Sequence, residues 1–128
     1  MTLLLDTHVW LWMLTAPDRL GALRDPIEDA QTTLLLSAAS AWEISIKYAL
    51  GRLPLPEPPE RYVPSRARAT GVTQIVIEPG EALAAGALPP HHRDPFDRLL
   101  IAQASARSLP LATADEALAP YGVRLLRP

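Results

Sequence analysis

The strongest constraint on this chain is its alternation. Short apolar runs bounded by turn residues recur from end to end, separated by stretches with helical spacing. Thr2–Leu5, Thr32–Leu36, Val72–Ile77, Leu109–Ala112 and Gly122–Leu126 read as strands. His8–Leu14, Leu20–Ala30, Ser37–Leu50, Glu60–Thr70, Pro79–Leu88, Pro95 to about Ser108, and Thr113–Ala119 read as helices, with Asp18 as the cap of the second. Leu53–Pro59 (LPLPEPP) is a proline-rich connector, too short to separate two domains. This pattern calls for an α/β fold, a mainly parallel sheet of five strands with helices on both faces. Sites in such sheets form at the carboxyl ends of the strands, the edge from which the returning helices start.

A chain of 128 residues fits one domain, 1–128, with one core and no need for staples. The absence of cysteine excludes disulfides, thiolate zinc sites and thiol nucleophiles. No apolar run reaches the ~18 residues of a membrane span. The start, MTLLLDTH, lacks the basic region of a signal peptide, so a cytoplasmic protein without membrane contact is expected. The net charge of −2, from 12 basic and 14 acidic residues, is unlike that of a simple nucleic-acid binder. Yet all the bases but Lys47 are arginines, which suit phosphate, and acids gathered round a metal do not repel phosphate once the metal is bound.

The acids fall in a pattern. Asp6 ends the first strand, and Asp115 lies just past the fourth. Asp94 and Asp97 open the helix of His92–Ala104 (HRDPFDRLLIAQA), around Pro95. Glu43 lies about two turns into the helix after the second strand. All five can reach one edge of the sheet. Singly, most have plain explanations. Ser40–Glu43 and Thr113–Glu116 fit capping boxes, Asp94 fits an N-cap, Asp97 suits a helix dipole, and Lys47 fits an i,i+4 partner for Glu43. Asp6 caps nothing obvious unless a helix starts at Thr7. Jointly, crowded carboxylates repel unless something positive sits among them. Oxygen ligands suit Mg²⁺ or Mn²⁺, and such a centre activates water for displacement at phosphorus. His91 and His92 follow Pro-Pro in a loop and read first as surface, with a metal or phosphate role for the pair second and His92 as a candidate substrate contact. Arg98 is a candidate substrate contact. Trp10, Trp12 and Trp42 are expected in the core.

These segments resemble the PIN-domain family, and within it the VapC toxins of bacterial toxin–antitoxin pairs. LLLDTHVWLWML (Leu3–Leu14), LLLSAASAWEISIKYALGRLPLP (Leu34–Pro56), LPPHHRDPFDRLLIAQA (Leu88–Ala104) and LPLATADEALAPYGVRLL (Leu109–Leu126) carry the likeness, which runs nearly end to end. The resemblance implies a three-layer α/β/α sandwich and a Mg²⁺- or Mn²⁺-dependent endoribonuclease leaving 5′-phosphate and 3′-hydroxyl ends. It implies Asp6, Glu43, Asp97 and Asp115 as the catalytic, metal-holding quartet, with Asp94 and Thr113 beside it. It also implies a homodimer, and a VapB-type antitoxin whose C-terminal segment lies across the toxin.

Rival readings are weaker. A phosphatase of the haloacid-dehalogenase type needs a second Asp two residues after the first, where this chain has His8. A receiver domain needs paired acids near the end of the first strand. A non-catalytic module binding RNA or protein is the alternative, opposed by the intact acid set. His8–Leu14 with Leu20–Ala30 could offer an apolar antitoxin groove, provided Trp10 and Trp12 are not both buried.

Overall fold

The computed structural model describes residues 1–128. Five strands form one sheet: β1 (Thr2–Leu5), β2 (Thr33–Ser37), β3 (Thr73–Ile75), β4 (Leu111–Ala112) and β5 (Leu125–Leu126), in the order β3-β2-β1-β4-β5. Every neighbouring pair is parallel, so the expected sheet is parallel throughout. β1 is central. Leu3 pairs with Leu34 on one side, and Leu5 with Ala112 on the other. Its leucines are fully buried because both faces of the sheet are covered.

Side chains alternate across a strand, and β1 therefore feeds two cores. Leu3 and Leu5 pack with Val9, Trp10, Leu23, Ile44 and Val63 on one face. Leu4 packs with Ala39, Leu100, Ile101, Leu111 and Leu118 on the other. The helices supplying these layers are α1 (Thr7–Thr15), α2 (Arg24–Glu28), α3 (Ala38–Ala49), α4 (Pro59–Thr70), α5 (Pro79–Ala87) and α6 (Pro95–Ala106).

Four local expectations are corrected. Leu20–Ala30 is not one helix: Pro17–Leu23 is 3-10, and only Arg24–Glu28 is α-helical. Gly21 breaks it, with φ at +50°, and a Cβ there would lie 2.8 Å from the carbonyl carbon of Pro128. Asp18 makes no cap bond and lies 3.8 Å from Arg24 instead. The last short helix is a 3-10 segment over Glu116–Tyr121, which contains Pro120. Trp42 is not in the core but 56% exposed, edge-on to Phe96 with ring centroids 5.3 Å apart.

Candidate metal centre

Chain topology places the acids. Asp6 follows the central strand, and its backbone N–H donates to Ala112 at 2.9 Å, which ties the ends of β1 and β4 together. It occupies the N-cap position of α1 yet makes no capping bond. Its Oδ2 accepts from the buried Thr113 hydroxyl at 2.7 Å, and its buried Oδ1 has no partner. A buried carboxylate oxygen without a donor is costly unless a cation approaches it.

Glu43 repeats this arrangement. Its carboxylate is buried in α3, Oε2 accepts from Lys47 Nζ at 2.6 Å, and Oε1 is unpartnered. The expected i,i+4 ion pair is therefore present. The capping box Ser40–Glu43 is not. Ser37 caps α3 by accepting from Ala39 N–H, while the Ser40 hydroxyl accepts from Thr7 at 2.8 Å.

Asp94 and Asp97 divide their work. Asp94 Oδ1 accepts from the N–H groups of Phe96 and Asp97 at 2.9 and 3.4 Å, so it is the N-cap that its Asp-Pro context predicts. Asp97, one turn in, lies with Oδ2 2.7 Å from His92 Nε2. The same nitrogen is 3.7 Å from Asp115 Oδ2. One ligand atom from each of His92, Asp94 and Asp97 lies within 4.8 Å of the others. Asp115 caps the last 3-10 segment through Oδ1, which accepts from Ala117 N–H at 2.9 Å, and leaves Oδ2 for His92. Its own N–H donates to Thr113 Oγ1 at 3.0 Å, so Thr113 links Asp6 to Asp115 and no Thr113–Glu116 capping box forms.

The electrostatics suit a cation site. Burial pushes the Asp6 carboxyl up; the Thr113 hydrogen bond and His8 oppose this, while the charge of Glu43 adds to it. Burial raises Asp97 to about 7, with help from Asp6 and Asp94, against the pull of His92. Two orphaned oxygens and two carboxyls raised chiefly by burial are what a hard divalent cation would relieve.

Two other residues differ from expectation. Arg98 is not free for substrate. Its guanidinium donates to the carbonyls of Ala85, Leu88, Pro89 and His92 at 2.8–3.1 Å, and so holds the α5–α6 loop. His91 is exposed, as expected, whereas His92 in the same loop is turned inward and reaches Asp97. Sequence reasoning missed Tyr121, whose hydroxyl accepts from His92 N–H at 2.9 Å and donates to Pro89. No spacing rule links positions 92 and 121; only the fold brings those loops together. Of the candidate antitoxin anchors, Trp10 is fully buried, with its indole N–H on Thr70, and Trp12 is half-buried.

Fold and centre together define a parallel α/β domain with carboxylates converging at the carboxyl edge of its sheet. The chain belongs to the PIN-domain family, whose profile matches residues 3–123. It is 46% identical over 63 residues to Ribonuclease VapC16 of Mycobacterium tuberculosis, a match spanning 49% of this chain and 45% of that relative. Among solved structures it resembles VapBC2 from Rickettsia felis bound to a DNA fragment from their promoter. There the TM-score is 0.71 at 15% identity, covering 99% of this chain and 98% of the other. DNA-bound VapBC from Salmonella typhimurium gives 0.70 at 15% identity, with coverage of 99% and 98%. These two likenesses concern the fold.

Proposed function

We propose that the chain is a VapC-type endoribonuclease, the toxin of a toxin–antitoxin pair, dependent on Mg²⁺ or Mn²⁺. The observation that carries this reading is the pair of buried, unpartnered oxygens, Asp6 Oδ1 and Glu43 Oε1, on carboxylates near enough for the charge of Glu43 to act on Asp6 and that of Asp6 on Asp97. Family membership and the identity to a ribonuclease support it.

In this reading Asp6, Glu43, Asp97 and Asp115 hold the cation, directly or through water. A bound divalent ion supplies the charge that lowers the pKa of water and neutralises the scissile phosphate. The chain's own residues prepare the place. Thr113 fixes Asp6 by its hydroxyl and leaves the other, buried oxygen unpartnered. Lys47 does the same for Glu43. Asp94 sets where α6 begins and so where Asp97 stands. His92, in contact with Asp97 and near Asp115, is placed to pass a proton from attacking water or to a leaving oxygen. Arg98 acts as a positioning residue by fixing the loop that carries His92. The structural relatives that are VapBC assemblies support a VapB-type antitoxin as partner; the family resemblance adds a homodimer, and a start without a signal peptide fits action in the cytoplasm.

The test is RNA cleavage by the purified chain. Activity with Mg²⁺ or Mn²⁺ is expected to vanish with EDTA and return on adding the metal. Asp6→Asn is expected to lower cleavage at least 100-fold, of the order seen when a stabilising group of a reaction centre is removed, with the circular dichroism spectrum unchanged. Undiminished cleavage by that variant sinks the assignment of the site, and no cleavage by the parent with either metal leaves a non-catalytic RNA- or protein-binding module as the better reading.

A further inference from the structure

Two buried hydroxyl bonds lie behind the acidic centre, and only one of them touches a carboxylate. Thr113 joins Asp6 to Asp115, and so ties the end of β1 to the segment after β4. The other bond joins Thr7, the first residue of α1, to Ser40 in the first turn of α3, at 2.8 Å. Both side chains are buried in the protein. Thr7 follows Asp6 directly, and Ser40 lies one turn before Glu43 on the same side of α3. The bond therefore links the backbone carrying Asp6 to the helix carrying Glu43, the two acids whose free oxygens are buried. Little else of a directional kind does so. Glu43 has one side-chain bond, from Lys47, whose long and partly exposed chain can follow a moving carboxylate. Val9 and Trp10 of α1 share an apolar core with Ile44 of α3, but such contacts set no direction. Stability does not account for the hydroxyl pair either, because two apolar groups of the same shape would serve there at little cost.

We propose that Thr7 and Ser40 are positioning residues, whose bond fixes the spacing of Asp6 and Glu43 and thereby makes the centre select Mg²⁺ over the larger Ca²⁺. The proposal rests on the cation reading above and adds what selects the ion. Mg²⁺ demands near-ideal octahedral geometry at about 2.0–2.1 Å, whereas Ca²⁺ takes roughly 6–8 oxygens at about 2.3–2.6 Å in flexible arrangements. Carboxylates free to spread serve the larger ion, and carboxylates held at one spacing serve the smaller. Neither hydroxyl has to touch the ion for this. Thr113 and the Thr7–Ser40 pair together relate three acids from three elements, Asp6, Asp115 and Glu43, through short and directional bonds.

The test titrates Mg²⁺ alone and Ca²⁺ alone into the full chain at pH 8, without RNA, and reads binding by calorimetry and by the rise in Tm. The variants are Ser40→Ala, Thr7→Val, the two together, and Thr7→Ser, which keeps the hydroxyl. Each single apolar change leaves one buried hydroxyl unpaired and lowers Tm, whereas the double variant loses both partners and regains most of it. Expected is a fall in Mg²⁺ affinity of about 10- to 100-fold in both single variants and in the double variant, the range for removing a group that supports a metal ligand. Ca²⁺ affinity falls about tenfold less, so the preference for Mg²⁺ narrows, while Thr7→Ser keeps the parent's preference. A bond that served stability alone would return Mg²⁺ binding to the double variant along with its Tm. Parent-like preference in the double variant, or equal loss of both ions, therefore overturns the proposal and leaves the ribonuclease reading intact. If the double variant does not fold, Thr7→Val set against Thr7→Ser decides by the same preference. A parent that binds neither ion overturns the proposal together with the cation reading. A parent that binds Mg²⁺ but cuts no RNA ends the ribonuclease reading alone, and the ion preferences of the variants still decide the role of Thr7 and Ser40.

Discussion

Three aspartates sit at helix starts in this chain, and their side chains do three different things. Asp94 caps α6 with one oxygen. Asp115 caps with one oxygen and points the other at His92. Asp6 caps nothing and leaves an oxygen bare in the interior. Sequence alone separates only Asp6 from the others, because an acid straight after a buried strand has no ordinary purpose. Asp97 offers the sharpest residue-scale prediction. Burial and the neighbouring Asp6 raise its carboxyl from 3.8 to about 7 in the metal-free chain. A raised carboxyl favours folding while protonated. Its contribution is full below about pH 4 and is lost as pH climbs through about 7. Metal-free protein should thus lose of order 2 kcal/mol from this group between pH 5 and 8. Mg²⁺ competes with that proton, so its stabilising effect should grow over the same window. Thermal melts with Mg²⁺ and with EDTA at pH 5.5 and pH 8 check this. The gap in Tm should be wider at pH 8 and should narrow in Asp97→Asn. A gap that is the same at both pH values would contradict it.

At the scale of elements, the hairpin of α5 and α6 is what aims Asp97. Arg98 in α6 and Arg107 just after it brace the hairpin at its two ends. Arg98 binds the carbonyls of the connecting loop. Arg107 grips Glu81 of α5 with Nε at 2.7 Å and a second nitrogen at 3.1 Å, and also reaches the Val76 carbonyl. Glu81 further accepts from Gln103 and from the Glu78 N–H. These bonds, that to Arg107 foremost, hold the Glu81 carboxyl down at about 2. A depressed carboxyl stabilises the fold above its ordinary pKa of about 4.5, and this stabilisation fades as pH falls toward 2. Arg107 is partly exposed, so solvent screening reduces the pair's worth to about 1–3 kcal/mol. Arg107→Ala should cost that much at pH 6, and the difference from the parent should shrink toward pH 3. Chemical denaturation at both pH values measures it; a difference independent of pH would refute the pairing. None of this brace was legible beforehand. Glu81 and Arg107 are far apart in sequence, and an exposed-looking Arg near a helix end has many innocent explanations. The helices themselves were legible, since Ser37, Pro79, Asp94 and Gly71 are strong start and stop signals. The failures came where glycine and proline act against periodicity, at Gly21 and Pro120.

For the whole molecule, strand order explains why acids so distant in sequence meet. β1 is central and β4 is beside it, so the loops after both strands open at one edge, with α6 delivering a further carboxylate there. The alternation of apolar runs already implied that edge. It did not say which face of α3 would lack a cover, and so Trp42 was misplaced: a tryptophan on an apolar helix is buried only if another layer reaches it. The same centrality ties the two cores together. Leu3 and Leu4 are adjacent and fully buried, but they point into different layers. If one strand serves both, neither layer can melt by itself. Leu3→Ala and Leu4→Ala should each cost about 2–5 kcal/mol, the usual range for a buried leucine. Each should shift one common transition rather than split it. The two layers have separate reporters in a chain carrying Trp42→Phe. Its remaining indoles, Trp10 and Trp12, both belong to the Leu3 layer, whereas α6 packs largely in the Leu4 layer. Urea melts followed by fluorescence and by hydrogen exchange at the amides of Leu100–Ala104 should therefore give one midpoint in the parent and in both leucine variants. Separate midpoints would show that residues 1–128 do not fold as one domain, and that the acidic centre joins two units of unequal stability.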